Sequence, residues 1–272
     1  MTTMHKVPHV FLAIFFFFSI EASSNTSIKA VNYNVWLGFH KGEKIPEFQR
    51  WIANKKPDIV TFQELNGISE KELREIAKSW GHEYVSVLKP WGFPVGITSS
   101  AEIDVIAKPF WLYHHGHIQA KTHGVNIFAV HFWPKEEKEP NDIIELAKSL
   151  ASNREKVLIA GDFNTHSARD NPYLDTILKL DYVYFDVVEQ FERNGFIDLV
   201  HKHSPEQKRS FPTLVFTDGT PDSRSESAKK SERIDFAFAN ASWAEHSKDA
   251  EIAIDKTTDF SSDHYPVFVE FN

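Results

Sequence analysis

The chain has 272 residues, of which 42% are hydrophobic and 25% charged, and it contains no cysteine. That supplies enough apolar material for one large globular domain and excludes a disordered or fibrous chain. The formal net charge of −8 at pH 7 argues against a protein that binds nucleic acid by electrostatics alone, which needs a basic surface to displace counterions.

An acidic enzyme acting on phosphates stays open, because divalent cations invert the local sign of a carboxylate-rich site. The missing cysteines remove disulfides and thiolate metal ligands from consideration. At the N-terminus, His5 and Lys6 precede the apolar run from Val10 to Ile20, and the small residues Ala22, Ser23 and Ser24 follow. This is the three-part layout of a secretory signal peptide, and the run is shorter than the roughly 20 apolar residues of a spanning helix. Residues 1–24 therefore read as a cleaved signal and 25–272 as one globular domain, secreted or periplasmic, with no stable membrane anchor.

Past the signal, runs rich in Val, Ile and Phe predict strands at Ile28 to Trp36, Asp58 to Glu64, Glu83 to Lys89, Glu102 to Lys108, Val125 to Trp133, Lys156 to Phe163, Arg233 to Asn240 and Tyr265 to Phe271. Helices are predicted over Ile45 to Asn54 and on two sets at i, i+3, i+4, i+7: Leu73, Ile76, Ala77, Trp80 and Ile143, Leu146, Ala147, Leu150. Ser69 and Glu72 have the spacing of a capping box for the first set. Several strands follow one another without a helix, so two packed sheets with helices outside fit better than an alternating βαβ fold. The polar stretch Asp218 to Glu232 reads as a long surface loop.

Polar residues recur where the apolar runs end. Glu64 closes Pro57-Asp58-Ile59-Val60-Thr61-Phe62-Gln63 with hard oxygen donors of the kind Mg²⁺ prefers. Asn34 ends the first run, as a turn residue or a paired amide. Asp162 and Asn164 follow Val157 to Gly161 at i, i+2, an arrangement suited to a carboxylate that holds metal or deprotonates water beside an orienting amide. An Asx-turn is the plain alternative. Asp235, inside an apolar strand, needs a partner, and His264 in Ser262-Asp263-His264-Tyr265 suits it, because the bond fixes the imidazole tautomer. His131 ends another strand, where it either contacts phosphate or packs structurally. His114, His115 and His117 lack the spacing of a closed metal site, and His166 reads as a loop residue at the rim.

Taken in order, Asn32-Tyr33-Asn34-Val35-Trp36, Pro57 to Glu64, Val130 to Pro134, Gly161-Asp162-Phe163-Asn164, Arg233 to Phe236 and Ser262 to Val267 resemble the motifs of the endonuclease/exonuclease/phosphatase superfamily, deoxyribonuclease I-like. They span nearly all of the mature chain. The resemblance implies an α+β fold, a four-layer α/β/β/α sandwich of two packed mixed sheets flanked by helices. It implies Mg²⁺ as cofactor, with Mn²⁺ as the alternative, held by Glu64, Asn34 and Asp263. Asp162 is then the residue acting on the attacking water, Asn164 its partner at the phosphate, His264 the histidine at the scissile phosphate oriented by Asp235, and His131 the second histidine of the nuclease-like members. Trp91 to Ser100 matches the family's apolar strand weakly, and residues 165–170 identify no subfamily.

The implied partner is a phosphate ester, DNA or RNA first among them, and no feature points to a protein partner. A nuclease would track phosphates with Lys229, Lys230 and Arg233, helped by Lys208 and Arg209, unless these form a solvated loop. A phosphatase or phosphodiesterase on small-molecule, inositol or lipid phosphates uses the same chemistry in a narrower pocket. A non-catalytic binding module would have lost site residues, and Glu64, Asp162, Asn164, Asp235 and His264 are all present.

Overall fold

The computed structural model describes residues 27–174, 183–220 and 222–272, so the segment read as a signal peptide lies outside the described residues. Two six-stranded mixed sheets face each other. One has the order β11-β12-β1-β2-β4-β3 and the other β5-β6-β7-β8-β10-β9. The first is built from β1 (Ile28–Asn34), β2 (Ile59–Gln63), β3 (Tyr84–Val87), β4 (Gly96–Ser99), β11 (Ser247–Ile252) and β12 (Val267–Phe271). The second is built from β5 (Asp104–Ala107), β6 (Ile118–Thr122), β7 (Val125–His131), β8 (Lys156–Asp162), β9 (Phe196–Asp198) and β10 (Asp235–Asn240).

The alternation of side chains along each strand sorts the core into three layers. Ala30, Ile59, Ala129, Ala160 and Ala237 meet between the sheets. The four alanines among them let the two sheets approach closely. Their neighbours Val31, Val60 and Phe62 turn outward onto the helices Ile45–Lys55 and Glu70–Ala77 through Phe48, Trp51 and Leu73. Phe128, Ile159, Phe236 and Phe238 turn onto the helices Lys138–Ser152 and Asp186–Arg193 through Ile143, Ala147 and Phe191. The result is the helix, sheet, sheet, helix sandwich expected from the sequence. No helix among the described residues is long and apolar enough to cross a membrane.

All eight predicted strands are present with trimmed ends, and the capping box of Ser69 and Glu72 forms. Four strands were not read from the sequence. Two of them, β4 and β11, are polar: β11 (SKDAEI) sits at a sheet edge, where charged residues are the rule, and β4 lies inside its sheet with the polar Thr98 and Ser99 buried. Leu146, expected on a buried helix face, is 46% exposed, and Ile144 takes its place in the core. The expected loop before β10 contains the helix Ser223–Ala228.

Beyond β1 the chain does not continue as a strand. Trp36 to Lys41 make a left-handed turn with φ between 47° and 70°, a conformation that costs non-glycine residues roughly 1–2 kcal/mol each. Gly38 escapes that cost and is also required sterically, since a Cβ there would lie 2.1 Å from the Asn66 carbonyl oxygen. The turn brings the Leu37 N–H onto Glu64 Oε2 at 3.0 Å.

Candidate active site

Strand direction gathers the polar motif residues at one edge of the sandwich. The parallel pairs β1/β2 and β7/β8 end together there, while the antiparallel β10 and β12 begin there. Register does the rest: Asp162 stands directly between His131 on β7 and Asp235 on β10. These three continue the rows of Ala129, Ala160 and Ala237, so they are the polar end of the layer between the sheets. Gly161 permits this pairing, because a Cβ there would sit 2.0 Å from the Val130 carbonyl oxygen.

Asp162 is the hub. Asn34 Nδ2 donates to its Oδ2 at 3.0 Å, and the Asn164 backbone N–H donates to its Oδ1 at 2.9 Å. His131 Nε2 lies 3.6 Å and His264 Nε2 3.8 Å from the same Oδ2. Asp235 Oδ2 holds His264 Nδ1 at 2.8 Å, as the sequence suggested. Burial, with Asp235 adding to it, pushes the Asp162 carboxyl up to about 8. Burial works against charge on His264, but the carboxylates of Asp235, Asp162 and Asp263 outweigh it and raise this imidazole to about 10. His131 shows the opposite result: burial, with His115 and His264 nearby, holds it well below the usual histidine range.

A second carboxylate group lies beside the hub. Glu64 has a positive φ of 58°, and its two oxygens accept from Asn34 Nδ2 at 3.2 Å and from Leu37 N–H. Burial, with the charge of Glu64 adding to it, raises Asp263 to about 6. Two mutually repelling carboxylates in a cleft are the hard-oxygen set that suits a divalent cation. Asn34 turns its nitrogen toward Glu64 and Asp162, since its Oδ1 accepts the Trp36 N–H at 3.1 Å. In this arrangement it ties the two carboxylates together. Asp162, Asp235 and His264 also lie close enough for one ion to touch all three, although the bond between Asp235 and His264 already uses two of those atoms.

These residues open into a cleft of about 320 Å³ lined by Glu64, His131, Asp162, Asn164, Asp263 and His264 on one side. Pro134, His166, Tyr184, Phe211, Glu232 and Ile234 line the remainder, and no lysine or arginine is among the described residues that line it. The side chain of Asn164 is fixed by donation from its Nδ2 to the Phe132 carbonyl at 3.0 Å.

Several sequence readings change. Arg233 is not a surface phosphate contact: it is 1% exposed, with Nε on Asp170 at 2.7 Å and Nη1 on Asp198 at 2.6 Å. Lys208 shares Asp170 at 2.7 Å. Both cations are held internally by carboxylates, whereas Lys229 and Lys230 remain exposed. His166 is not a rim residue but a buried one bonded to Glu232 at 2.6 Å. His115 and His117 are buried as well; the His115 ring lies 4.1 Å from that of His131, and His117 bonds Glu139 at 2.8 Å. His166 repeats the two-residue spacing of Asp162 and Asn164 along the sequence, although the strand itself ends at Asp162. No local pattern marks Glu232 as its partner.

The sequence matches the model of the endonuclease/exonuclease/phosphatase family over residues 31–264. Comparison with curated proteins gives no match. Among solved structures, a 3′ phosphatase from Neisseria bound to product DNA hairpin superposes with a TM-score of 0.69 at 19% identity, covering 90% of this chain and 99% of that one. An AP endonuclease from Archaeoglobus fulgidus gives 0.66 at 18% identity, covering 90% and 99%. An endonuclease/exonuclease/phosphatase from Beutenbergia cavernae gives 0.59 at 15% identity, covering 90% and 71%.

Proposed function

Because the chain belongs to the endonuclease/exonuclease/phosphatase family and is a phosphoric ester hydrolase, we propose that it is an exported, Mg²⁺-dependent phosphodiesterase that attacks its substrate with water, a nuclease in the first instance. The observation that carries this reading is Asp162, buried and raised to about 8, set within 4 Å of two histidines of opposite charge preference.

A carboxyl that titrates near neutrality is suited to take a proton from water. Asn34 and the Asn164 N–H hold its two oxygens in place, so the base is oriented before substrate arrives. His264, kept protonated by Asp235, presents a positive N–H where charge develops on the phosphoryl or leaving oxygen. His131 stays neutral and offers a hydrogen bond without adding charge.

The family's enzymes use divalent metals, and Glu64 with Asp263 would hold the ion here. When bound, it supplies Lewis-acid compensation for the phosphoryl charge. The choice of Mg²⁺ rests on the all-oxygen donor set. Export rests on residues 1–24 alone.

The named structures bound to or acting on DNA support nucleic acid as the first substrate to test. A small phosphodiester is the second reading, favoured by a cleft with no lysine or arginine among the described residues that line it. The test is a Mg²⁺-supplemented panel of DNA, RNA and small phosphodiesters with the wild type, Asp162→Ala and His264→Ala. Hydrolysis by the wild type should fall by about 10²–10⁴-fold in each variant, with circular dichroism unchanged. Full activity in either variant would remove that residue from the mechanism.

A further inference from the structure

The cleft that holds Glu64 and Asp263 is also lined by a second polar pair that the hydrolytic step does not use. His166 Nε2 and Glu232 Oε2 are 2.6 Å apart, and both residues are nearly buried, 3% and 8% exposed. The tautomer follows from the backbone. Tyr184 N–H donates to His166 Nδ1 at 3.3 Å, so that nitrogen is the acceptor and Nε2 carries the hydrogen given to Glu232. One carboxylate oxygen is thereby satisfied, the other has no hydrogen-bond partner among the described residues, and Glu232 lines the cleft.

We propose that Glu232, positioned by His166, is a specificity subsite that accepts a hydrogen bond from a hydroxyl on the alcohol esterified to the scissile phosphate, a sugar or polyol. This rests on the phosphodiesterase reading and narrows its substrate class. Three observations select a neutral hydroxyl over other groups. A second phosphate at this wall would meet the Glu232 carboxylate, and no lysine or arginine is among the described residues that line the cleft. A cationic head group would be repelled by Lys135, whose Nζ already occupies the Tyr184 ring at 4.5 Å from its centroid. The Phe211 ring is taken as well, lying 4.7 Å from that of His264. A hydroxyl needs only an oriented acceptor, and a bond to a charged acceptor is worth more than one to a neutral group.

The full chain with Mg²⁺ would be given matched p-nitrophenyl esters, each reporting p-nitrophenolate as water displaces it at phosphorus. One pair is the 5′-esters of 5-methyluridine and thymidine, which differ only in the 2′-hydroxyl. A second pair is the esters of inositol and cyclohexanol, and the phosphocholine ester supplies a cation. In at least one pair the hydroxylated ester should lead by about tenfold in kcat/KM, or about 1.4 kcal/mol, chiefly through KM. The leading pair identifies ribose or inositol as the source.

Glu232→Gln keeps an acceptor for His166, and it should bring that ratio to within about twofold. His166→Asn should lower it part of the way. The subsite is overturned if the wild type treats both members of each pair alike, if Glu232→Gln leaves the ratio intact, or if phosphocholine leads and depends on Glu232. Hydrolysis of none of the esters would instead overturn the phosphodiesterase reading, and the subsite with it.

Discussion

Two histidines flank the same oxygen of Asp162, and they resolve burial in opposite ways. His131 and His264 are 3% and 4% exposed, and their Nε2 atoms stand 3.6 and 3.8 Å from Asp162 Oδ2. The difference lies at the far nitrogen. His264 Nδ1 has Asp235 at 2.8 Å, whereas His131 Nδ1 has no carboxylate. Desolvation penalises the charged form of each ring equally in kind, so one nearby carboxylate decides which ring is cationic. An enzyme gains from the inequality: one ring neutralises developing charge, and the other donates a hydrogen bond without repelling the first.

The strongest way to break the comparison is Asp235→Asn, which makes the environment of His264 resemble that of His131. Loss of about 10²–10³-fold in kcat/KM is expected, in line with losing a preorganised charged donor. In the wild type, the rate should rise with pH as Asp162 loses its proton and fall as His264 loses its own near 10. The variant's falling limb should move toward neutrality. A pH–rate profile with an unmoved alkaline limb would detach His264's charge from Asp235.

A smaller effect sharpens the same contrast through stability. The folded pKa of His264 is above its ordinary value of 6.5, so its contribution is complete below 6.5 and lost as pH rises toward 10. Asp162 acts in the same sense, since its raised pKa means the fold holds a proton up to about 8 that the unfolded chain releases near 3.8. The metal-free wild type should therefore lose about 4 kcal/mol between pH 7 and pH 9, read from urea midpoints in chelator. Asp235→Asn should flatten that loss. His131, neutral in both states above 6.5, should contribute none of it.

The smallest effect is expected at His131 itself. His131→Gln retains an N–H donor and should cost about tenfold in kcat, or about 1.4 kcal/mol, without shifting the alkaline limb. A shift of that limb would mean that His131 carries charge after all.

Much of this site was legible along the chain because an apolar run ending in a carboxylate, an amide or a histidine is a local pattern. Glu64, Asp162, Asn164 and His131 were found that way, Asp235 and His264 as a carboxylate inside an apolar strand and its partner, and all but Asp235 line one cleft, with Asp235 directly behind His264. Arg233 was misread for the same reason that it looked attractive: beside lysines in a polar stretch, a buried arginine is indistinguishable from an exposed one. Only Asp170 and Asp198, brought in from 63 and 35 residues away, distinguish it.

The sequence by itself determined the strands whose side chains alternate or run apolar, the two-sheet architecture and the candidate side chains of the site, because the patterns that mark them are local. The tertiary structure alone decided the polar strands β4 and β11, the opposite charge preferences of two equally buried histidines, and the pairing of His166 with Glu232 across 66 residues. Those depend on which groups face each other across the sandwich, and the energy of a buried charge is set by that neighbour rather than by anything adjacent in the chain.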